Sequence, residues 1–113
     1  MTDPQRQHQS LATGRWQTLT LAEQLGNVGS EVGRALRAKT QNNERRMWAA
    51  LDRALELFDL TAVDPRHTGR RREVLRAREV VCDFLVGDNL YGSTAESLDR
   101  YFLQFATAAR AGR

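Results

Sequence analysis

The residues best suited to chemistry in this sequence are the arginines that follow position 65. The segment RHTGRRREVLRARE holds six of them within 14 residues. Each guanidinium group presents a planar fork of N–H donors that matches phosphate and carboxylate groups. Binding of a nucleic acid by such groups is salt-sensitive and largely independent of base sequence. The predicted nucleic-acid-binding residues, gathered at one end of the expected fold, are Arg66, Arg70, Arg71, Arg72 and Arg110.

The same arginines are also consistent with a solvated charged surface that has no ligand. Glu56, Asp59 and Asp64 are expected near the same end and could neutralise it. Of the 17 basic residues 16 are arginine, which GC-rich coding alone could produce, and the formal charge is only +3. A smaller basic set at the opposite end comprises Arg37, Lys39, Arg45 and Arg46. The expected partner is a nucleic acid or an acidic protein, and the solvated surface remains an alternative.

Catalytic chemistry has few candidates here. A nucleophile needs an activating base, but His8 falls in a polar tail, His67 in an arginine-rich loop, and Cys82 on a packed helical face. The Arg-to-His spacing of the HEPN ribonucleases is absent, as is the repeated Glu-x-x-His step of di-iron bundles. We predict no catalytic residue, no metal and no cofactor. An enzyme remains possible only through a site assembled between subunits from Glu31, Arg78, Glu79, Asp83 and Tyr101.

Arg78 has a different predicted role from the other arginines. It lies between apolar positions of its helix, close to the buried stripe, so it needs a carboxylate partner. Glu31, Asp52 and Asp59 are the candidates. The favoured interpretation is a structural polar layer that fixes the register of the helices. Its predicted members are Glu31, Arg78, Glu79 and Asp83.

The elements that position these residues are four helices. Apolar residues recur at helical spacing, and prolines occur only at positions 4 and 65. We predict an all-α, up-and-down four-helix bundle over residues 18–113, preceded by a flexible polar tail over 1–17. The breaks are expected near KTQNNE, TAVDPRHTG and GDN, with Asn42 or Asn43 as one cap and a Ser93–Glu96 capping box as another. Gly87 is expected to end its helix in the left-handed conformation.

The first helix contains glycines that should destabilise it. Each one costs roughly 1 kcal/mol relative to alanine, and QLGNVGSEVGRAL contains three. They form an edge without side chains that admits a close neighbour. That neighbour is either a ring of the same chain, from Trp48, Phe102 or Phe105, or the same edge of another subunit. The predicted interface between subunits comprises Ala22, Gly26, Gly29 and Gly33.

Composition limits the cellular setting. No apolar stretch is long enough to span a membrane, and MTDPQRQHQS lacks the features of a secretory signal. The single cysteine cannot form an intrachain disulfide, which favours the reducing cytoplasm. We therefore expect a cytoplasmic protein with no membrane partner.

In length, basicity and helical layout, residues 18–113 resemble small bacterial four-helix-bundle proteins of accessory type. These include the ribosomal-RNA intervening-sequence proteins and the accessory proteins of diversity-generating retroelements. The segments NVGSEVGRA, RALELFDLT and YFLQFATAAR also resemble an uncharacterised bacterial family, which implies no function. The first resemblance implies a non-catalytic homo-oligomer whose basic surface contacts nucleic acid. The alternative prediction is a protein-interaction, scaffold or antitoxin-like module that binds no nucleic acid.

Overall fold

The computed structural model describes residues 14–112. Its four α-helices are α1 (Leu21–Thr40), α2 (Glu44–Ala62), α3 (Arg71–Val86) and α4 (Ala95–Ala111). Two 3-10 helices, Trp16–Thr18 and Pro65–Arg70, precede α1 and α3. No strand occurs within the described range, so the predicted all-α fold is confirmed. Most of the predicted tail, residues 1–13, lies outside the described residues. Trp16, which the prediction placed in the tail, is buried.

Local side-chain hydrogen bonds cap the first turn of three of the four α-helices, α1, α2 and α4. Thr20 and Glu23 form a reciprocal capping box at α1, and Asn43 accepts a hydrogen bond from the Arg46 amide at α2, as predicted. The predicted capping box of α4 is wrong by one residue, because Thr94 and Ser97 form it instead. A side-chain oxygen at these positions satisfies an amide that the helix leaves unpaired.

The connection between α2 and α3 lies at the predicted break TAVDPRHTG and contains a short 3-10 helix. Pro65 opens a 3-10 helix rather than an α-helix, and Asp64 caps it by accepting the Arg66 amide. At the other end of α3, Gly87 has φ −105° and is not left-handed. The left-handed positions are Asn89 and Gly92 in the loop that follows. Gly87 is nevertheless the residue that caps the end of α3, so the predicted break at GDN is confirmed.

Contacts between the ends of the helices establish an up-and-down arrangement. Lys39 Nζ donates to the Leu85 carbonyl at 2.9 Å, which places the ends of α1 and α3 together. Arg71 Nε donates to the Ala62 carbonyl at 2.7 Å, which joins the start of α3 to the end of α2. Helix α1 packs most extensively on α2 and α4.

A single core lies between the helices and is formed by the expected apolar stripes. Trp48, one of the three rings considered for the glycine edge, does not belong to this core, because the residue is 45% exposed. The large side chains with less than 2% exposure include Leu25, Val28, Val32, Leu51, Phe58, Val74 and Val81.

Candidate nucleic-acid interface

The predicted arginines do gather at one end of the bundle. The Arg66 guanidinium donates to the Leu19 carbonyl at 2.7 Å, just before α1. Arg71 reaches the last residue of α2. Helix α4 runs antiparallel to α1, with Ala106 against Gly26, so Arg110 lies toward this end as well. We call this set the arginine end: Arg66, Arg70, Arg71, Arg72 and Arg110.

Three members of the arginine end already have partners within the chain. Arg66 holds Asp64 through two hydrogen bonds of 3.0 and 2.7 Å. Arg70 Nε lies 2.7 Å from Glu73 Oε2, and hydrogen bonding from Arg70 lowers the pKa of Glu73. Arg71 caps the end of α2. These guanidinium groups stabilise the fold, which leaves Arg72 and Arg110 as the members most open to a ligand.

A buried polar cluster lies beneath the arginine end. The Asp64 side chain is 1% exposed, and hydrogen bonds from Arg66 hold its pKa well below the usual range. The fully buried Gln24 side chain donates to Asp64 Oδ2 at 3.1 Å and to the Trp16 carbonyl at 2.9 Å. His67 Nε2 is 3.6 Å from Asp64 Oδ2. The cluster fastens the α2–α3 connection to the beginning of α1.

The predicted polar layer does not exist as one layer. Arg78 Nε pairs with Asp59 Oδ1 at 2.9 Å, so one of its three candidate partners was right. Glu31 instead binds two other arginines. Asp83 accepts the backbone amides of the loop after α3, and Glu79 accepts a hydrogen bond that raises the pKa of Tyr91. The four residues act at three separate places, because they lie on different faces of their helices.

The glycine edge is covered within the chain at two of its positions. A Cβ added at Gly29 would lie 2.6 Å from the Phe102 Cβ, and one added at Gly26 would lie 3.4 Å from the Ala106 Cα. This is the intramolecular alternative, with Phe102 as the ring. Gly26 and Gly29 are consequently not open to a second copy. Association of copies through Ala22 or Gly33 stays a prediction.

A groove between α1 and α2 brings four arginines together. We call it the arginine groove; its volume is about 460 Å³ and alanines form part of its lining. Arg34 Nη1 and Arg53 Nε bind opposite oxygens of Glu31, at 2.7 and 2.9 Å. The Glu31 side chain is itself only 13% exposed, and its two ion pairs hold both guanidinium groups in place. The arginines lining the groove are Arg34, Arg37, Arg46 and Arg53.

Sequence reasoning found only half of the arginine groove. It placed Arg37 and Arg46 in the smaller basic set, together with Lys39 and Arg45. Lys39 turns instead to the carbonyls that end α3, and Arg45 does not line the groove. The available signal was helical spacing, since Arg34 and Arg37 are one turn apart and Arg46 and Arg53 two turns apart.

The described residues offer neither an activated thiol nor a metal-binding group. Burial raises the pKa of the Cys82 thiol, which is the opposite of what an activated cysteine requires. Among residues 14–112, no three His, Cys, Asp or Glu side chains form a group that could hold a metal ion. In the same range, no helix combines the length and the apolar character needed to cross a membrane.

No protein-family model, curated protein or solved structure matches this chain. The relationship to intervening-sequence and retroelement accessory proteins therefore stays a prediction from layout. The arginine groove differs from the arginine end in that its four arginines come from two helices and line one groove.

Proposed function

We propose that this protein is a non-enzymatic cytoplasmic helical bundle that binds nucleic acid through the arginine groove. The observation that carries the proposal is the convergence of four guanidinium groups from two helices on one groove. Each guanidinium can donate two parallel hydrogen bonds to a phosphate. A groove lined by several of them suits a phosphate backbone.

Glu31 supports the proposal by fixing the direction of two guanidinium groups. It engages one nitrogen each of Arg34 and Arg53, and the remaining N–H groups stay available to a ligand. A guanidinium that is already held loses less side-chain freedom on binding than an unrestrained one. Arg37 and Arg46 lie nearer the short turn between α1 and α2 and complete the positive lining.

The arginine end plays a secondary part in this proposal. Arg66 and Arg71 would have to release a buried carboxylate and a helix-ending carbonyl before binding phosphate. Arg70 forms one ion pair, with Glu73, and keeps its other N–H groups available, as Arg34 and Arg53 do. Arg72 and Arg110 are exposed and can add to the overall attraction. The proposed main contact therefore moves from the arginine end to the arginine groove.

The test is a comparison of two doubly substituted proteins by fluorescence anisotropy with a labelled duplex oligonucleotide. One carries Arg37→Gln and Arg46→Gln, both in the groove. The other carries Arg45→Gln and Arg100→Gln, which are exposed and outside the groove. Both lose the same formal charge, so a difference between them reports position rather than net charge.

We expect the groove variant to weaken binding by at least tenfold at low salt. Two phosphate contacts fewer should also reduce the slope of log K against log salt by about 2. The control should keep most of the affinity. No binding by the unsubstituted protein at low salt, or equal losses in the two variants, would overturn the proposal and favour the protein-interaction alternative.

A further inference from the structure

We infer that a cleft between α3 and α4 is a binding site for a small organic acid with an apolar ring. The cleft has a volume of about 260 Å³, and none of its lining residues lines the arginine groove. Its walls include Ala77, Val81, Leu98 and Phe102, and polar groups are present among its lining residues. An apolar cavity with a few polar groups is the usual form of a small-molecule site.

The cleft is held open by contacts at each end. On one side Tyr101 donates to Glu73 across the two helices at 3.3 Å. On the other side Asp83 accepts the amides of Leu90 and Tyr91, at 2.8 and 3.1 Å, and so fixes the loop that leaves α3. The first contact links α3 to α4 and the second anchors the loop between them, so both limit how far the cleft can close.

The loop between the two helices is also internally fixed. Asn89 accepts the Ser93 amide at 2.8 Å and donates back to the Ser93 carbonyl at 3.0 Å. Helix α4 then begins at once with the Thr94 capping box. A ligand entering this cleft would not have to order the loop, which removes one cost of binding.

The charges around the cleft favour an anionic head group. Arg76 lines it, with its guanidinium carbon 5.5 Å from the centre of the Tyr91 ring. Glu73 also lines it, but Arg70 neutralises that carboxylate at 2.7 Å. Glu79 is hydrogen-bonded to Tyr91 and is not among the lining residues. Arg76 is therefore the group positioned to bind a carboxylate.

The size of the cleft selects a small ligand. Pockets that hold drug-sized molecules measure roughly 300–1,000 Å³, so a cleft of about 260 Å³ suits a smaller ligand, with one ring and a short acidic tail. The probe is 3-phenylpropionate, which has this shape, and its uncharged amide serves as the matched compound. Both are titrated into the ¹⁵N-labelled full chain and followed by the backbone amide signals.

We expect saturable shifts at Ala77, Val80 and Leu98, with a dissociation constant of about 1 mM for the acid and several-fold weaker binding of the amide. Arg76→Gln should weaken binding of the acid about tenfold and leave the amide unchanged. Arg100→Gln, an exposed substitution on α4 outside the cleft, should change neither. Val80→Trp should fill the cleft and abolish binding of both compounds.

Three outcomes would overturn the inference. The first is the absence of saturable shifts at the cleft up to about 10 mM acid. The second is a set of shifts confined to the arginine groove, around Ala38 and Ala50. The third is equal affinity for the acid and the amide, which would remove Arg76 from the site. The comparison of the two compounds needs no substituted protein, so it holds even if Val80→Trp fails to fold.

Discussion

Phe102 of α4 lies directly on Gly29 of α1. A Cβ at position 29 would be 2.6 Å from the Phe102 Cβ and 3.1 Å from its Cγ. The Phe102 ring also makes edge contacts with Phe58 and Tyr101, with centroids 6.1 and 5.1 Å apart. The missing side chain at Gly29 thus lets α4 bring an aromatic cluster onto α1, and this packing offsets the low helix propensity of glycine.

The first prediction concerns this contact. Gly29→Ala should lower the free energy of unfolding by about 1–3 kcal/mol, because the new methyl group forces Phe102 or α4 to move. The measurement is equilibrium denaturation in urea, followed by circular dichroism. The molecular mass in solution should not change, since Phe102 belongs to the same chain.

Gly33→Ala is the matched control for that prediction. A Cβ at position 33 would meet only the end of the Arg37 side chain, at 3.3 Å, and that side chain can move. Helix propensity then favours alanine by up to about 1 kcal/mol. Equal destabilisation by the two substitutions would show that the contact with Phe102 is not what makes glycine necessary at position 29.

Helical spacing was sufficient to predict the elements and several contacts between them. The glycine edge predicted a close neighbour, and Phe102 was one of three rings considered for it. The need of Arg78 for a carboxylate gave three candidates, of which Asp59 is the partner. These predictions worked because the spacing of residues along a helix determines which of them share a face.

Three other features depend on more than the spacing of residues along a helix: the capping residue of α4, the exposure of Trp48 and the arginine groove. The capping residue of α4 is Thr94 rather than Ser93, and two adjacent hydroxyl residues cannot be ranked by pattern alone. Trp48 lies at the edge of the buried face of α2, so a small rotation of the helix exposes it. Half of the arginine groove was missed for a related reason. Helical spacing puts Arg34 beside Arg37 and Arg46 beside Arg53, but joining the two pairs also requires the rotation of α1 relative to α2. Charge counts along the chain do not give that rotation.

The second prediction concerns the buried Asp64 carboxylate. Asp64→Asn should reduce the free energy of unfolding at pH 7 by about 2 kcal/mol, because charge-assisted hydrogen bonds to Arg66 are weakened. The loss should fall below the usual range for a fully buried ion pair, since the Arg66 side chain is 43% exposed.

The stabilisation by Asp64 should also depend on pH. Its pKa in the folded protein lies below the ordinary value of 3.8. The contribution is therefore complete above that value and is lost as the pH falls below it. Urea denaturation at a series of pH values should show the difference between the unsubstituted protein and Asp64→Asn narrowing below about pH 4. A difference that stays constant down to pH 2 would contradict this assignment.

The third prediction concerns alkaline pH. Burial, reinforced by the nearby Glu73 carboxylate, raises the pKa of Tyr101 to about 12, from an ordinary value of 10.0. Above pH 10 the unfolded chain releases this phenol proton while the folded chain retains it, so stability falls as the pH rises. Tyr101→Phe should make the fall shallower. Absorbance titration of the folded protein near 295 nm should lose its highest-pH step in this variant, whereas Tyr91→Phe should retain that step.

The last prediction concerns the ion pair between Arg78 and Asp59. Their side chains are 36% and 59% exposed, so water and salt screen the attraction and the pair cannot act as the buried anchor that its place in the sequence suggested. A double-mutant cycle with Arg78→Gln and Asp59→Asn should give a coupling of about 0.5 kcal/mol in dilute buffer. Because the pair is exposed, the coupling should shrink at 1 M salt, where the screening length is about 3 Å. A coupling several times larger that resists salt would mean that α2 and α3 exclude water from this contact.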